Sequence, residues 1–144
     1  MYSKNHLVAD ILIGCWLVAA LGMVGSLYFS EIRQLAPCVL CWYQRIALYP
    51  LVVLIPLGMW KKQTDVATTI LALAIPGALV GAYHNLLVWK IIPESIAPCV
   101  QGVSCTTQLF SLFGFITIPF LAFISFCLLI AGALVVRRMQ RLNP

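Results

Sequence analysis

FITIPFLAFISFCLLIAGALVV, running from Phe115 to Val136, contains no charged side chain and ends against Arg137 and Arg138. At 1.5 Å per residue, a helix of this length crosses a hydrocarbon core of about 30 Å. Three more apolar runs precede it: Leu7 to Phe29, interrupted only by Asp10, then Trp42 to Trp60, and Val66 to Trp89. The chain has 144 residues, 62% hydrophobic and 9% charged, whereas soluble domains carry about 25% charged residues. A water-soluble globule is excluded. Four spans at about 20 residues each leave only short loops. Residues 1–144 are therefore expected to form one all-α integral membrane domain, a four-transmembrane-helix bundle with two extracytoplasmic Cys-containing loops. Pro50, Pro56, Pro76 and Pro119 fall within these runs. They are read as kinks, because in a bundle neighbouring groups can satisfy the carbonyls that proline frees.

The net charge is +5, and in so apolar a chain a basic surplus speaks to orientation in the bilayer rather than to nucleic acid. Lys4, Lys61, Lys62, Arg137, Arg138 and Arg141 fall on one side of the four spans, and Arg33, Arg45 and Lys90 on the other. The positive-inside rule then puts both termini and the loop from Lys61 to Asp65 in the cytoplasm of a multi-pass membrane protein. Tyr28, Phe29, Trp42, Tyr43, Tyr83, Trp89 and Phe110 gather near the outer boundary as an aromatic belt, and Trp60 marks the inner one. The first run is too long for a signal peptide and has no small-residue cleavage site beyond it, so it is expected to be retained. Leu12-Ile13-Gly14-Cys15 faintly resembles a lipoprotein processing site, but cleavage there would halve a spanning helix.

Four of the six cysteines fall in the outward loops: Cys38 and Cys41 in the first, Cys99 and Cys105 in the second. Cys15 and Cys127 lie within spans, where a thiol packs as a small hydrophobe. Outside the cytoplasm, close cysteine pairs imply two bridges or one bridge-exchanging system, with zinc bound by Cys38, Cys41, Cys99 and Cys105 as the other possibility. Cys38-Val39-Leu40-Cys41 is a C-x-x-C, which serves redox centres, zinc sites and structural disulfides alike. Cys41 is expected at the N-terminus of the second helix, where the dipole favours a thiolate. Arg45 follows at i+4 on the same face. It either holds charge below that sulfur or snorkels to lipid phosphates.

His84 lies about six residues inside the outer end of the third span, between Tyr83 and Asn85. Intramembrane ionisable residues mark functional sites by default. A histidine there can give a hydrogen bond or proton to a quinone oxygen, or it can belong to an interfacial polar cap. Asp10 and Glu31 are read as interfacial. Cys99 to Cys105 forms a short hairpin-like segment whose Gly102 and Ser104 permit an exposed turn, suited to reaching a soluble partner. Leu35-Ala36-Pro37-Cys38-Val39 and Ile96-Ala97-Pro98-Cys99-Val100 are alike and hint at a repeated helix-loop-helix. Leu109 to Phe115 is expected along the interface, as a lid or an anchor.

Gly25-Ser26-Leu27-Tyr28-Phe29-Ser30-Glu31-Ile32, Pro37-Cys38-Val39-Leu40-Cys41-Trp42-Tyr43-Gln44-Arg45, Pro98-Cys99 with Cys105, and Gly114-Phe115-Ile116-Thr117-Ile118-Pro119-Phe120 together resemble the DsbB family of disulfide-bond formation proteins, in its BdbC branch from Gram-positive bacteria. The resemblance covers nearly the whole chain. It implies a four-helix membrane thiol:quinone oxidoreductase that reoxidises an extracytoplasmic thioredoxin-like dithiol oxidase, DsbA- or BdbD-like. Electrons pass to menaquinone or ubiquinone, supporting disulfide formation in exported proteins. Such a relay keeps the bacterial periplasm oxidising. Carried over by motif, Cys38 and Cys41 are the quinone-linked disulfide, with Cys41 facing the quinone, and Arg45 and His84 are the quinone-side residues. Cys99 and Cys105 are the partner-facing disulfide, Cys99 taking the mixed disulfide and Cys105 exchanging with Cys38. The five-residue spacer between them is much shorter than in Gram-negative members, which bears on which sulfur is attacked. The scheme calls for no metal.

Two other readings share some of these features. Vitamin K epoxide reductase-like proteins also combine four helices, paired cysteines and quinones, but their C-x-x-C lies elsewhere in the order of elements. A non-enzymatic membrane scaffold would hold its loops by structural disulfides or zinc, and its cysteines would not cycle.

Overall fold

The computed structural model describes residues 2–61, 65–93, 111–112 and 116–142. Four long helices dominate: α1 (Tyr2–Leu27), α2 (Val39–Trp60), α3 (Val66–Val88) and α4 (Ile118–Arg141). All four are long and apolar enough to cross a membrane. Each packs against its neighbours in chain order, and α4 closes back on α1, which makes a four-helix ring. The only strand structure among the described residues is a two-residue antiparallel pair, β1 (Ser111–Leu112) with β2 (Ile116–Thr117), in the register Ser111 to Thr117 and Leu112 to Ile116.

The core runs along the bundle axis through Leu12, Ala19, Leu51, Ile55, Ile70 and Phe126. The opposite faces carry large apolar side chains outward, including Leu21, Leu79 and Leu128, the arrangement of a bundle solvated by lipid. Small residues set the close approaches, as expected where packing rather than water drives helix association. Gly77 of α3 lies against the Phe126 ring, and a Cβ on Gly132 of α4 would sit 2.5 Å from the Cys15 sulfur.

Proline behaves differently at different positions. Pro56 removes the N–H that would bond to the Val52 carbonyl, and the Trp16 indole of α1 donates to that carbonyl at 3.0 Å. The helix therefore continues. Pro119 is not an internal kink: it occupies the first turn of α4, where an N–H has no helical partner to lose. The fourth helix accordingly begins at Ile118 and not at Phe115, because Ile116 and Thr117 are extended and paired with β1. The second helix begins at Val39, three residues before the expected start. The first continues past Phe29 through a π-helical turn, Tyr28–Ile32.

α3 ends in a left-handed residue, Lys90 (φ 57°). The Lys90 N–H donates to the Leu87 carbonyl at 2.9 Å, and the Ile91 N–H to that of Leu86 at 3.0 Å. This is the Schellman arrangement with lysine where glycine is usual.

Candidate functional site

The outer start of α2 brings the first cysteine pair together. Cys38, extended at φ −72° and ψ 170°, is the N-cap, and its sulfur accepts the Cys41 N–H at 3.4 Å. Cys41 is thus a third-position residue in the first turn and does not mark the helix end, as its sequence position had suggested. The positive end of the helix dipole acts first on Cys38. Spacing of i and i+3 puts both side chains on one face, and the sulfurs lie 2.9 Å apart.

α3 supplies the third member. His84 is buried, with 1% of its surface exposed, so it does not belong to an interfacial polar cap. Its Nε2 lies 3.8 Å from the Cys38 sulfur, and its Nδ1 lies 3.3 Å from Nε2 of the buried Gln44. With the Gln44 amide donating to Nδ1, a neutral imidazole carries its proton on Nε2 and directs it at sulfur. The Cys38 thiol is lowered from 9.0 to about 4, by the Cys41 hydrogen bond first and then by His84, with burial opposing. The reduced pair therefore holds one negative charge at neutral pH. Transfer of the shared proton across the 2.9 Å contact moves that charge to Cys41.

Arg45 turns inward. Its guanidinium donates to the Ser26 carbonyl of α1 at 3.0 Å and stacks 5.5 Å from the Trp42 ring centroid. Its Nε is buried without a hydrogen-bond partner among the described residues. This placement differs from a side chain reaching out to lipid phosphates.

These groups border one cavity of about 410 Å³ between α1, α2 and α4, with His84 of α3 behind it. Cys38, Cys41, Gln44, Arg45 and His84 line one wall. Leu21, Leu121 and Leu128 also line it and are exposed on the outside of the bundle, so its mouth opens on the lipid-facing surface between α1 and α4. An apolar chamber with a few convergent polar groups is the usual form of a small-molecule site.

The Sγ and imidazole nitrogen atoms of Cys38, Cys41 and His84 lie within 4.8 Å of one another, a set able to offer three ligands to zinc. Two thiolates on one tetrahedral zinc stand about 3.8 Å apart, given Zn–S bonds of about 2.3 Å. The sulfurs here are closer than that, within about 0.9 Å of disulfide bonding distance.

Other sequence candidates lie elsewhere. Cys15 is buried against Gly132 and Cys127 is half-buried. Asp10 and Glu31 are exposed, and none of these four borders the cavity. Cys99, Cys105, Phe110 and the Ile96 to Val100 repeat lie outside the described residues. Gln44, Tyr49 and Thr117 were not singled out from sequence. Tyr49 continues the stripe Cys41, Arg45 at i+4 spacing, a signal that periodicity does contain. Gln44 and Thr117 depend on tertiary neighbours and carry no such mark.

Residues 9–136 match the family described as "Disulfide bond formation protein DsbB". The chain is 48% identical to "Disulfide bond formation protein C" of Bacillus subtilis over 129 residues, covering 88% of this chain and 91% of that protein. It is 42% identical to "Probable disulfide formation protein C" of Halalkalibacterium halodurans over 131 residues, 91% and 96% of the two chains. It is 34% identical to "Probable disulfide formation protein" of Metapseudomonas resinovorans over 130 residues, 90% of each. No solved structure matches it.

Proposed function

Because the chain belongs to the DsbB family of disulfide bond formation proteins, we propose that it is a membrane thiol:quinone oxidoreductase, reoxidising an extracytoplasmic thioredoxin-like dithiol oxidase and passing the electrons to a membrane quinone. The observation that carries this reading is the cavity itself. It has a C-x-x-C and a buried histidine in its wall and a mouth lined by lipid-facing leucines. A substrate entering by that mouth arrives from the hydrocarbon, so it is lipid-soluble.

Quinone supplies a two-electron acceptor that takes up two protons when reduced. The apolar walls beside Cys41, Arg45 and His84 would hold its ring, and Arg45, Tyr49 and Thr117, each with a buried polar atom unpartnered among the described residues, border the same space.

The protein's own chemistry follows by thiol-disulfide exchange. A dithiol of the partner attacks Cys99 and leaves as a disulfide, giving Cys99 and Cys105 as thiols. Cys105 then attacks Cys38, breaking the Cys38–Cys41 bond and releasing Cys41 as a thiolate. Closing Cys99–Cys105 by attack of Cys99 on the mixed bond leaves Cys38 and Cys41 as the reduced pair. Their reoxidation to a disulfide gives up two electrons and, from a pair that holds one negative charge, one proton on the cavity side; the second proton that a quinone takes up comes from the aqueous side. His84 holds the Cys38 sulfur through Nε2–H, and Arg45 offsets the negative charge when it sits on Cys41. Each exchange needs only modest tuning, since about 30 mV in a two-electron couple corresponds to roughly 1.4 kcal/mol. In this arrangement both termini and the Lys61 to Asp65 loop are cytoplasmic, and the cysteine loops face outward.

The test is absorbance-monitored quinone reduction by the purified protein in detergent, driven by a reduced thioredoxin-like oxidase, with Cys41→Ser as control. Turnover that vanishes in the variant supports the proposal. Absence of turnover across menaquinone and ubiquinone analogues, with cysteines that stay oxidised or bind zinc, would favour a scaffold.

A further inference from the structure

Four buried side-chain polar atoms lack a hydrogen-bond partner among the described residues: Arg45 Nε, Tyr49 Oη, Asn85 Oδ1 and Thr117 Oγ1. Asn85 is otherwise committed, its amide donating to the carbonyls of Gly81 at 2.8 Å and Pro119 at 3.2 Å. The other three residues border the cavity beside the cysteines. Buried polar groups are normally paired, and each exception calls for a cause.

Thr117 shows that the lack of a partner is not forced by its own backbone. It is the N-cap of α4, a position where a threonine hydroxyl ordinarily accepts an N–H of the first turn. Here it makes no cap bond, although only 3% of the residue is exposed. Pro119, two residues on, has no N–H to offer, and the Phe120 N–H at the third helical position, the other usual cap donor, does not bond the hydroxyl either. The hydroxyl is thus left for the cavity. Tyr49 lies on a different helix, two turns further into the membrane than Cys41 along the stripe Cys41, Arg45, Tyr49. Its hydroxyl is buried beside the same chamber while its ring packs on the core.

We propose that the hydroxyls of Tyr49 and Thr117 form a two-point polar frame that holds the oxygens of a dione ring in the cavity. The inference rests on the quinone reading and deepens it by naming what recognises the ring. Hydroxyls suit this task in a way that Arg45 does not, because they both donate and accept. They donate to the carbonyls of the quinone and accept from the hydroxyls of the quinol, so neither redox state leaves them unpaired. A guanidinium only donates. The hydrocarbon tail leaves past Leu21 and Leu128, whose side chains face the lipid.

The test uses the full chain in lipid nanodiscs and a decyl-tailed quinone as the probe. Kd is read from quenching of the protein's tryptophan fluorescence, and the carbonyl stretch of the bound quinone is read by infrared difference spectroscopy. Tyr49→Phe and Thr117→Val keep ring and branch, so the packing is retained. Each is expected to raise Kd about three- to tenfold, the effect of one lost hydrogen bond, and to move the carbonyl stretch towards that of free quinone. Unfolding midpoints of the quinone-free variants check that the fold is intact. If Kd and the carbonyl stretch match wild type in either variant, the two-point frame is overturned while the quinone reading stands. If the wild-type protein itself fails to bind the probe, the quinone reading falls and this inference with it.

Discussion

Nε2 of His84 stands 3.8 Å from the Cys38 sulfur, so the cap of one membrane helix is held by the buried imidazole of the next. The sulfur accepts from two sides, from Cys41 and from His84, and a sulfur in that position is stabilised as a thiolate.

The charge on Cys38 can be titrated. Its pKa is lowered from 9.0 to about 4. For an acid a lowered pKa means that the charged form persists as pH falls, so Cys38 of the reduced protein should still alkylate at pH 5 to 6, where an ordinary thiol is protonated. Cys41→Ala removes the largest lowering cause and His84→Ala a smaller one. Both should move the labelling midpoint upward, Cys41→Ala further. Iodoacetamide labelling across pH, read by mass spectrometry of the Cys38 peptide, measures this. A wild-type midpoint near 9 would show that the contacts do not hold the charge.

Arg45 is fixed by the Ser26 carbonyl and the Trp42 ring, an arrangement that uses the planar fork of a guanidinium. Arg45→Ala should lower kcat/KM for quinone about 10- to 100-fold, in line with losing charged hydrogen bonds worth about 1.5–3 kcal/mol, with the loop disulfides still formed. Arg45→Lys should recover only part of this, since an ammonium cannot reproduce the fork. Quinone kinetics unchanged in Arg45→Ala would remove Arg45 from the site.

The helices were legible because hydrocarbon is an undemanding reader of sequence: long apolar runs such as Val66 to Val88 have few alternatives in a bilayer. Their ends were less so. Cys38 displaced Cys41 as the cap because an extended residue with a sulfur acceptor precedes Val39, and Phe115 lost its place in α4 to the Ile116–Thr117 pairing. Within the site, Arg45 stood out as a charge at helical spacing from a cysteine, and His84 as an ionisable group at membrane depth. Gln44 did not, because its role exists only once α2 and α3 pack and its amide meets Nδ1.

Cys15 and Cys127 lie away from the cavity, and the Cys15 sulfur fills the space opposite Gly132. Cys15→Ala and Cys127→Ala should therefore keep quinone turnover, with Cys15→Ala losing about 1 kcal/mol of stability through the small void it leaves. Turnover by the purified variants and their unfolding in detergent separate the two effects. A large fall in kcat in either variant would mean that its thiol takes part in electron transfer.

Trp16 and Pro56 should prove energetically coupled although they sit on different helices. The Val52 carbonyl takes the Trp16 indole N–H at 3.0 Å because Pro56 offers it none. Trp16→Phe leaves a buried acceptor unpaired, costing about 1–3 kcal/mol. In a Pro56→Ala background, residue 56 regains an N–H in register with Val52, so the same Trp16→Phe change should cost less, by about 1 kcal/mol. A double-mutant cycle on reversible unfolding in micelles gives the coupling directly. Strictly additive costs would reduce Trp16 to a packing residue, and they would leave the Val52 carbonyl to be satisfied by rearrangement within α2.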